Sequence, residues 1–285
     1  MLMVGVTPPR GAVTPAEATR IGDVLTARLA GLDLDALVLY DIDDESDRNP
    51  SQRPFPYLPT MDPAAFHRDH LAGWDRPVII YRCVGKYRQA ELTDWLRQID
   101  TARVSSVFVG SSSSAKPVHT TLGEAQELRE RVRPDLPLGA VMITERLGEH
   151  TRMLAKQQRG ASFFISQIVY DVAATTQLMT DYHAATDAPR PVIFTLSVCG
   201  SLKTLEFLDW LGVQVPPSVE HTLRTCADPL AESYAQCLAN AHELAAFCRS
   251  RNMAFGFNVE SVSIRKTEID ASIRLARALR ERGLS

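Results

Sequence analysis

Three polar residues follow one apolar run near the middle of the chain. Residues 163–165 have the pattern of a buried strand, and Gln167, Tyr170 and Asp171 come where that strand would end. They bring an amide, a phenol and a carboxylate to one place. Because ligands bind at the carboxyl ends of strands in parallel α/β proteins, this segment predicts a ligand pocket as well as a strand.

The amide of Gln167 carries the strongest case for ligand contact. A glutamine that ends a buried strand needs partners for both its carbonyl and its amino group, and a ligand in an open pocket can supply them. The alternative is a structural amide that bonds to neighbouring loop backbone. We expect Tyr170 to face the ligand and Asp171 to cap the helix that follows.

Acidic residues at other strand ends could transfer a proton. Glu145 and Glu260 follow two predicted strands, and a carboxyl group with a pKa raised toward neutrality can act as a general acid, so both are candidate catalytic groups. The alternative for Glu145 is a salt-bridged residue on the rim. Asp41 is a further acid, and Arg82 and Lys116 add positive charge to the predicted pocket.

Other motifs are incomplete. Residues 110–116 imitate a phosphate-binding loop, but Ala115 replaces the second glycine and Pro117 stands where Ser or Thr would bind magnesium. His67 and His70 could share a helix face, yet they have no third ligand nearby. We therefore predict neither a phosphate loop nor a metal site.

The elements that must position these residues alternate along the chain in eight strand–helix pairs. The predicted strands are 1–6, 36–40, 78–81, 105–109, 138–143, 163–166, 192–196 and 254–257. The predicted helices are 15–29, with Thr14 as N-cap, then 63–72, 89–99, 122–132, 149–159, 172–185, 202–211, 229–251 and 267–282. Strict alternation predicts a closed (β/α)8 TIM barrel.

We expect residues 1–285 to form one such domain, with a long loop at about 41–60 and an extra helical stretch at about 216–251. The loop carries four prolines, which suits a preformed cover. The first strand is not followed by Gly-x-Gly-x-x-Gly, which disfavours a dinucleotide-binding sheet.

Composition is that of an ordinary globular protein. Apolar residues make up 45% of the 285 residues and the net charge is −3, so we predict no nucleic-acid partner and no membrane attachment. Five cysteines without Cys-x-x-Cys spacing, and no signal peptide, predict a reduced cytoplasmic protein. Cys199, at a strand end, is the one thiol to test for reactivity. The oligomeric state is not predicted.

Five pieces of the chain, in the same order, resemble the methylenetetrahydrofolate reductases. They are 4–10 (VGVTPPR), Lys116-Pro117, Thr144-Glu145, 160–171 (GASFFISQIVYD) and 191–216. The resemblance implies the same barrel, a tetrahydrofolate derivative as substrate, and reduction of its methylene group to methyl with NAD(P)H. It also implies that Gln167 contacts the pterin edge or the nicotinamide.

Residues at corresponding strand ends extend the implied substrate site. Tyr40 and Asp41 stand in the second-strand motif, Arg82 in the third-strand motif, and Ser112 in the loop after the fourth strand. Together with Gln167, Tyr170 and Lys116, they are the residues that we assign to substrate binding on this resemblance.

The chain also departs from that family. Gly5 stands where the family has the glutamate that protonates the folate nitrogen, and residues 110–112 replace the Arg-Gly-Asp motif after strand four. Leu202 replaces the aromatic residue that opens helix seven. These replacements argue against bound FAD, and the loss at Gly5 means that any acid must come from another strand end.

Three functions remain open from the sequence. The first is a methylenetetrahydrofolate reductase-like oxidoreductase of folate one-carbon metabolism. The second is a folate-dependent methyl or one-carbon transferase on the same barrel, which the replacement at Gly5 favours. The third is a non-catalytic folate-binding or partner subunit.

Overall fold

Eight parallel β-strands follow one another around a closed barrel in chain order. The structure is a computed structural model that describes residues 1–44, 46, 49–111 and 117–285. Helices alternate with the strands, so the predicted (β/α)8 TIM barrel is confirmed.

The strands are β1 (Leu2–Val6), β2 (Ala36–Leu39), β3 (Val78–Cys83), β4 (Val104–Val109), β5 (Leu138–Met142), β6 (Ala161–Ile168), β7 (Val192–Ser197) and β8 (Phe255–Glu260). The helices are α1 (Pro15–Leu29), α2 (Pro63–His70), α3 (Gln89–Gln98), α4 (Leu122–Val132), α5 (Glu149–Gln158), α6 (Val172–Ala184), α7 (Leu202–Trp210), α8 (Pro217–Thr225), α9 (Pro229–Ser250) and α10 (Lys266–Glu281). A short 3-10 turn, Val84–Lys86, follows β3. Within the described residues, none of the helices combines the length and apolar character needed to cross a bilayer.

The chain divides into two compact units. The N-terminal half is Gly5–Ala140, and the C-terminal half comprises Met1–Val4 and Val141–Ser285. Each half has strands that are buried along their whole length, β2 in the first and β7 in the second. Strands covered on both faces become continuous apolar runs, which is why these segments were recognisable in the sequence.

Side-chain caps fix the helix starts that the sequence predicted. The Thr14 hydroxyl accepts a hydrogen bond from the backbone N–H of Glu17 at 3.3 Å, with Pro15 opening α1. The Asp171 carboxylate accepts one from the N–H of Ala174 at 2.9 Å at the start of α6. Each cap satisfies a backbone donor that has no partner inside the helix.

Several strands continue past their apolar runs, β6 and β8 among them. β6 includes Gln167 and Ile168, and β8 continues to Glu260. Asn258 is fully buried, although its polarity suggested that the strand had ended at Phe257. Ladder hydrogen bonds, and not side-chain hydropathy, decide where these strands stop, because the backbone groups pair whatever the side chain is.

A close contact between α1 and α2 depends on one glycine. A Cβ atom at Gly22 would lie 1.9 Å from the carbonyl oxygen of His70, whereas one at Gly123 in α4 would meet nothing within 4 Å. The two glycines therefore form a matched pair, one required by packing and one not.

We expect Gly22→Ala to destabilise the protein by about 1–3 kcal/mol, because the two helices must move apart. Gly123→Ala should instead stabilise it by about 0.5–1 kcal/mol through helix propensity. Urea unfolding of both variants measures the difference. Equal effects of the same sign would show that α1 and α2 do not pack as closely as described.

Candidate functional site

Gln167 lies in an irregular part of β6 in the C-terminal half. The pairing of β6 with β7 shifts register between Ile165 and Ile168, and the Ser166 hydroxyl accepts the N–H of Thr195 at 2.8 Å. Nε2 of Gln167 donates to the Leu211 carbonyl at 3.0 Å. Half of the amide is thus bonded to loop backbone, while Oε1 has no hydrogen bond within the described residues and can accept one from a ligand.

Tyr170, which we expected to face a ligand, is instead enclosed by the protein. The residue is 2% exposed, and its hydroxyl donates to the Ser197 carbonyl at 2.8 Å. Burial raises the pKa of this phenol well above its usual value. A buried hydroxyl that bonds to backbone joins the ends of β6 and β7, so we assign Tyr170 a structural role.

One face of α9 supports the same strand ends, and the sequence analysis missed it. The Ser233 hydroxyl accepts the N–H of Cys199 at 2.6 Å, and Nδ2 of Asn240 lies 3.4 Å from the Tyr170 carbonyl. The thiol of Cys237 lies between them and approaches the Ser197 carbonyl at 3.3 Å. Positions 233, 237 and 240 share one helix face, so polar residues within a buried stripe were the available signal.

Glu145 lies in the turn after β5 and is the least satisfied acid of the C-terminal half. Both of its carboxyl oxygens are enclosed without a hydrogen-bond partner in the described parts of the chain, and so is the hydroxyl of Thr144. The salt bridge that was the alternative for Glu145 does not occur among these residues.

The proton affinity of Glu145 follows from this setting. Burial raises the pKa of its carboxyl group, and the charge of Asp171 adds to the rise. The Thr144 hydroxyl and the backbone N–H of Glu145 oppose the rise in part, although without normal hydrogen-bond geometry. Such a carboxyl group keeps its proton to higher pH than an exposed glutamate, as a general acid requires.

Glu260 ends β8 opposite Ser197 of β7. Its side chain is half-buried, and its carbonyl accepts the Ser272 hydroxyl at 3.2 Å. The structure therefore places the second candidate acid at the carboxyl end of a strand, as predicted, with its backbone anchored to α10.

The thiol of Cys199 is not set up as a nucleophile. The residue is 1% exposed, and burial raises its pKa to about 12. Its Sγ lies 3.4 Å from the Ser201 carbonyl. Since the thiolate is the reactive form, this cysteine is inert at neutral pH.

Asp41, predicted to bind substrate, is surrounded by protein donors in the N-terminal half. Its carboxylate accepts the N–H of Cys83 at 2.8 Å, the Tyr87 hydroxyl at 2.8 Å and the Lys86 ammonium at 2.5 Å. Burial opposes the charge on Lys86, but Asp41 outweighs it and raises the pKa of that ammonium group. Three donors occupy Asp41, so its role in this structure is to hold β2 and β3 together.

Arg82, also predicted to bind substrate, is engaged in the same way. The residue is 3% exposed, its guanidinium forms an ion pair with Asp62, and it lies over the rings of Tyr87 and Trp95 at 4.7 and 4.4 Å. Burial raises the pKa of Asp62, but Arg82 and hydrogen bonds to Ala65 and Tyr87 lower it more. The sequence could not show this because these partners are distant in the chain.

The structure describes only some of the remaining residues that were predicted to bind substrate. The ring of Tyr40 meets that of Tyr81 at 4.8 Å in an edge-to-face arrangement after β2. Ser112 and Lys116 lie outside the described residues. Gly5 is buried within β1, so this position offers no side chain that could act as an acid.

Comparisons with known proteins give one strong similarity. No protein-family model and no curated protein matches the chain. An uncharacterized protein from Clostridium thermocellum is 37% identical over 99% of this chain and 95% of that chain, with a TM-score of 0.86. That protein binds two copies of 5-methyl-5,6,7,8-tetrahydrofolic acid.

Two other solved structures are much less similar. A 2,3-dimethylmalate lyase is 12% identical over 86% of this chain and 93% of its own, with a TM-score of 0.42. A tryptophan synthase complex from Pyrococcus furiosus is 11% identical over 75% of this chain and 83% of its own, with a TM-score of 0.43. Neither bears on function.

The α9 contacts lead to a stability prediction. Ser233→Ala should cost about 1–3 kcal/mol, because it leaves the buried N–H of Cys199 without an acceptor. Ser250→Ala, at the exposed end of the same helix, should change stability by less than about 0.5 kcal/mol. Urea unfolding decides: losses of equal size would mean that Ser233 does not support the end of β7.

Proposed function

Because this chain belongs to the same family as the Clostridium thermocellum protein that binds 5-methyl-5,6,7,8-tetrahydrofolic acid, we propose that it binds a reduced folate. This family membership is the observation that carries the proposal. The substrate is a tetrahydrofolate with a one-carbon group on the pterin. The free Oε1 of Gln167 is an acceptor for an N–H on the pterin edge or for a nicotinamide amide.

The reaction that we propose is reduction of a methylene group to methyl. One proton adds to a bridging nitrogen as its bond to the methylene carbon breaks, which leaves an iminium ion. The hydride of NAD(P)H then adds to the iminium carbon, giving the methyl group and NAD(P)+. The protein must supply the proton and hold the two flat ligands in contact.

Glu145 is the proposed proton donor. It is enclosed, has no partner in the described residues and has a raised pKa, and these properties support a neutral acid near physiological pH. Glu260 is the second candidate, by its position at the end of β8. Asp41 is not proposed as a donor, because its carboxylate oxygens already accept hydrogen bonds from Lys86 and Tyr87.

FAD has no place in this proposal. Residues 110–112 replace the Arg-Gly-Asp motif whose aspartate tunes the flavin in the methylenetetrahydrofolate reductases, and Leu202 replaces the aromatic residue that opens helix seven in that family. We therefore route no step through a flavin. All five cysteines are free thiols, which supports a reducing compartment such as the cytoplasm.

A second function is favoured by Gly5. A folate-binding methyl transferase does not need the acid that this position has lost, and a non-catalytic folate-binding subunit needs no acid at all. Both alternatives bind folate but do not oxidise NAD(P)H, so an assay of nucleotide oxidation separates them from the reductase.

We expect the purified protein to lack flavin absorption bands, to bind 5-methyltetrahydrofolate, and to oxidise NADH or NADPH only when methylenetetrahydrofolate is added. Absorption spectra test for flavin, and equilibrium dialysis measures folate binding. The loss of absorbance at roughly 340 nm, where reduced nicotinamides absorb, measures nucleotide oxidation. Folate binding without nucleotide oxidation would reject the reductase and favour methyl transfer or a binding role.

Glu145→Gln should lower kcat by about 10²-fold or more and leave the Kd for 5-methyltetrahydrofolate within about twofold. In the wild type, kcat should fall as pH rises through the raised pKa of Glu145, because the deprotonated form cannot donate. Glu243→Gln, at an exposed position on α9, is the matched control. An unchanged kcat in Glu145→Gln would reject Glu145 and direct the test to Glu260.

The same variant has a readout that needs no substrate. Because the native state keeps the Glu145 proton above the pH at which the unfolded chain loses it, wild-type stability should fall as pH rises from the ordinary glutamate pKa of 4.5 through the native pKa. Glu145→Gln should lack that component of the decline. Urea unfolding between pH 4 and 8, roughly the range in which carboxyl groups titrate, measures it.

A further inference from the structure

The hydroxyl of Tyr87 contacts carboxylates at both ends of the loop after β2. Asp41 begins this loop and Asp62 ends it as the N-cap of α2, and the Tyr87 hydroxyl lies 2.8 Å from Oδ2 of Asp41 and 3.0 Å from Oδ2 of Asp62. We call residues 49–61, a described part of this loop, the second-loop arm. The two ends of a long loop are thereby held together by a single side chain.

The charges around Tyr87 are balanced. The hydroxyl has one proton and donates to one carboxylate at a time, so the other must be stabilised by cations. Lys86 forms an ion pair with Asp41, and Arg82 forms one with Asp62. Burial raises the pKa of Tyr87, and the two carboxylates raise it further against the opposing charge of Arg82, so the phenol remains a donor.

The second-loop arm lies against the loop after β1. Two backbone hydrogen bonds join them and make an antiparallel bridge between Arg10 and Thr60: Pro59 O accepts from Gly11 N at 2.9 Å, and Pro9 O accepts from Met61 N at 2.8 Å. Four prolines in the arm restrict its backbone further. The arm is therefore held beside the end of β1.

Tyr87 is itself held from the other side. Its N–H donates to the Val84 carbonyl at 3.1 Å, and its carbonyl accepts the Thr120 hydroxyl at 2.7 Å. The Gly85 carbonyl accepts the N–H of His119 at 3.0 Å. The end of the loop after β4 thus fixes the backbone from which Tyr87 holds the arm, and the loops of the N-terminal half form one connected set.

We propose that the second-loop arm contacts the folate and that Tyr87 is a positioning residue, which preorganises this arm through Asp41 and Asp62. This inference rests on the proposed function and adds to it a residue that does not itself touch substrate. Preorganised loops bind ligand more tightly because the ordering entropy is lost during folding and not during binding. Affinity, and not the chemical step, should then depend on Tyr87.

Tyr87→Phe removes only the hydroxyl. Below its unfolding transition, we expect amide hydrogen exchange in the second-loop arm to become about tenfold faster, while exchange in the barrel strands stays unchanged. The Kd for 5-methyltetrahydrofolate should rise by about tenfold, and kcat should stay within about twofold. Hydrogen-exchange mass spectrometry, equilibrium dialysis and the nucleotide assay give the three values.

Tyr234→Phe is the matched control, because that tyrosine lies on α9 and its ring contacts Arg274 without a hydrogen bond from its hydroxyl in the described chain. It should leave all three values unchanged. Thr120→Val removes the hydroxyl that donates to the Tyr87 carbonyl, keeps the side-chain volume and leaves both ion pairs intact, so it replaces Tyr87→Phe if that variant does not fold.

The outcomes separate this inference from the proposed function. A lower thermal midpoint with unchanged exchange in the arm and unchanged Kd would make Tyr87 purely structural and overturn the inference. A wild-type protein that binds no folate would end the proposed function, while the exchange comparison, which uses no ligand, would still decide whether Tyr87 holds the arm.

Discussion

Buried polar groups at the ends of parallel strands need hydrogen-bond partners, and this requirement organises the structure around its strand ends. In an apolar interior an unpaired donor or acceptor costs more than a paired one contributes. In the C-terminal half, Ser233 and Asn240 of α9 supply partners to the ends of β6 and β7. In the N-terminal half, Tyr87, Lys86 and Arg82 supply them to two carboxylates.

The two acids Asp41 and Glu145 show how differently this requirement can be met. Asp41 accepts hydrogen bonds from three donors, which suits a structural role. Glu145 receives none of normal geometry from the described residues and is driven toward its neutral form. A carboxyl group that the protein leaves without partners remains available for chemistry or for a ligand.

Gly5 has no side chain that could donate a proton, whereas Glu145 has a carboxyl group with a raised pKa. In the proposed reduction the proton comes from Glu145 or Glu260 and not from β1, and a TIM barrel can carry catalytic residues at the ends of several different strands. The same arrangement lets a folate site persist while the chemistry on it changes. A barrel fold and a folate site are therefore compatible with more than one reaction, and the proton-donating residue distinguishes among them.

The sequence by itself determined the barrel, the order of its elements and the caps at Thr14 and Asp171. Strand and helix periodicity, and the bonds from a cap to the first helical turn, involve residues only a few positions apart. Tertiary structure decided the partners: Arg82 pairs with Asp62, 20 positions away, and Tyr170 bonds to Ser197, 27 positions away. Such distant contacts decide which polar residues have partners within the protein and which remain available to a ligand. The local sequence pattern does not contain this information.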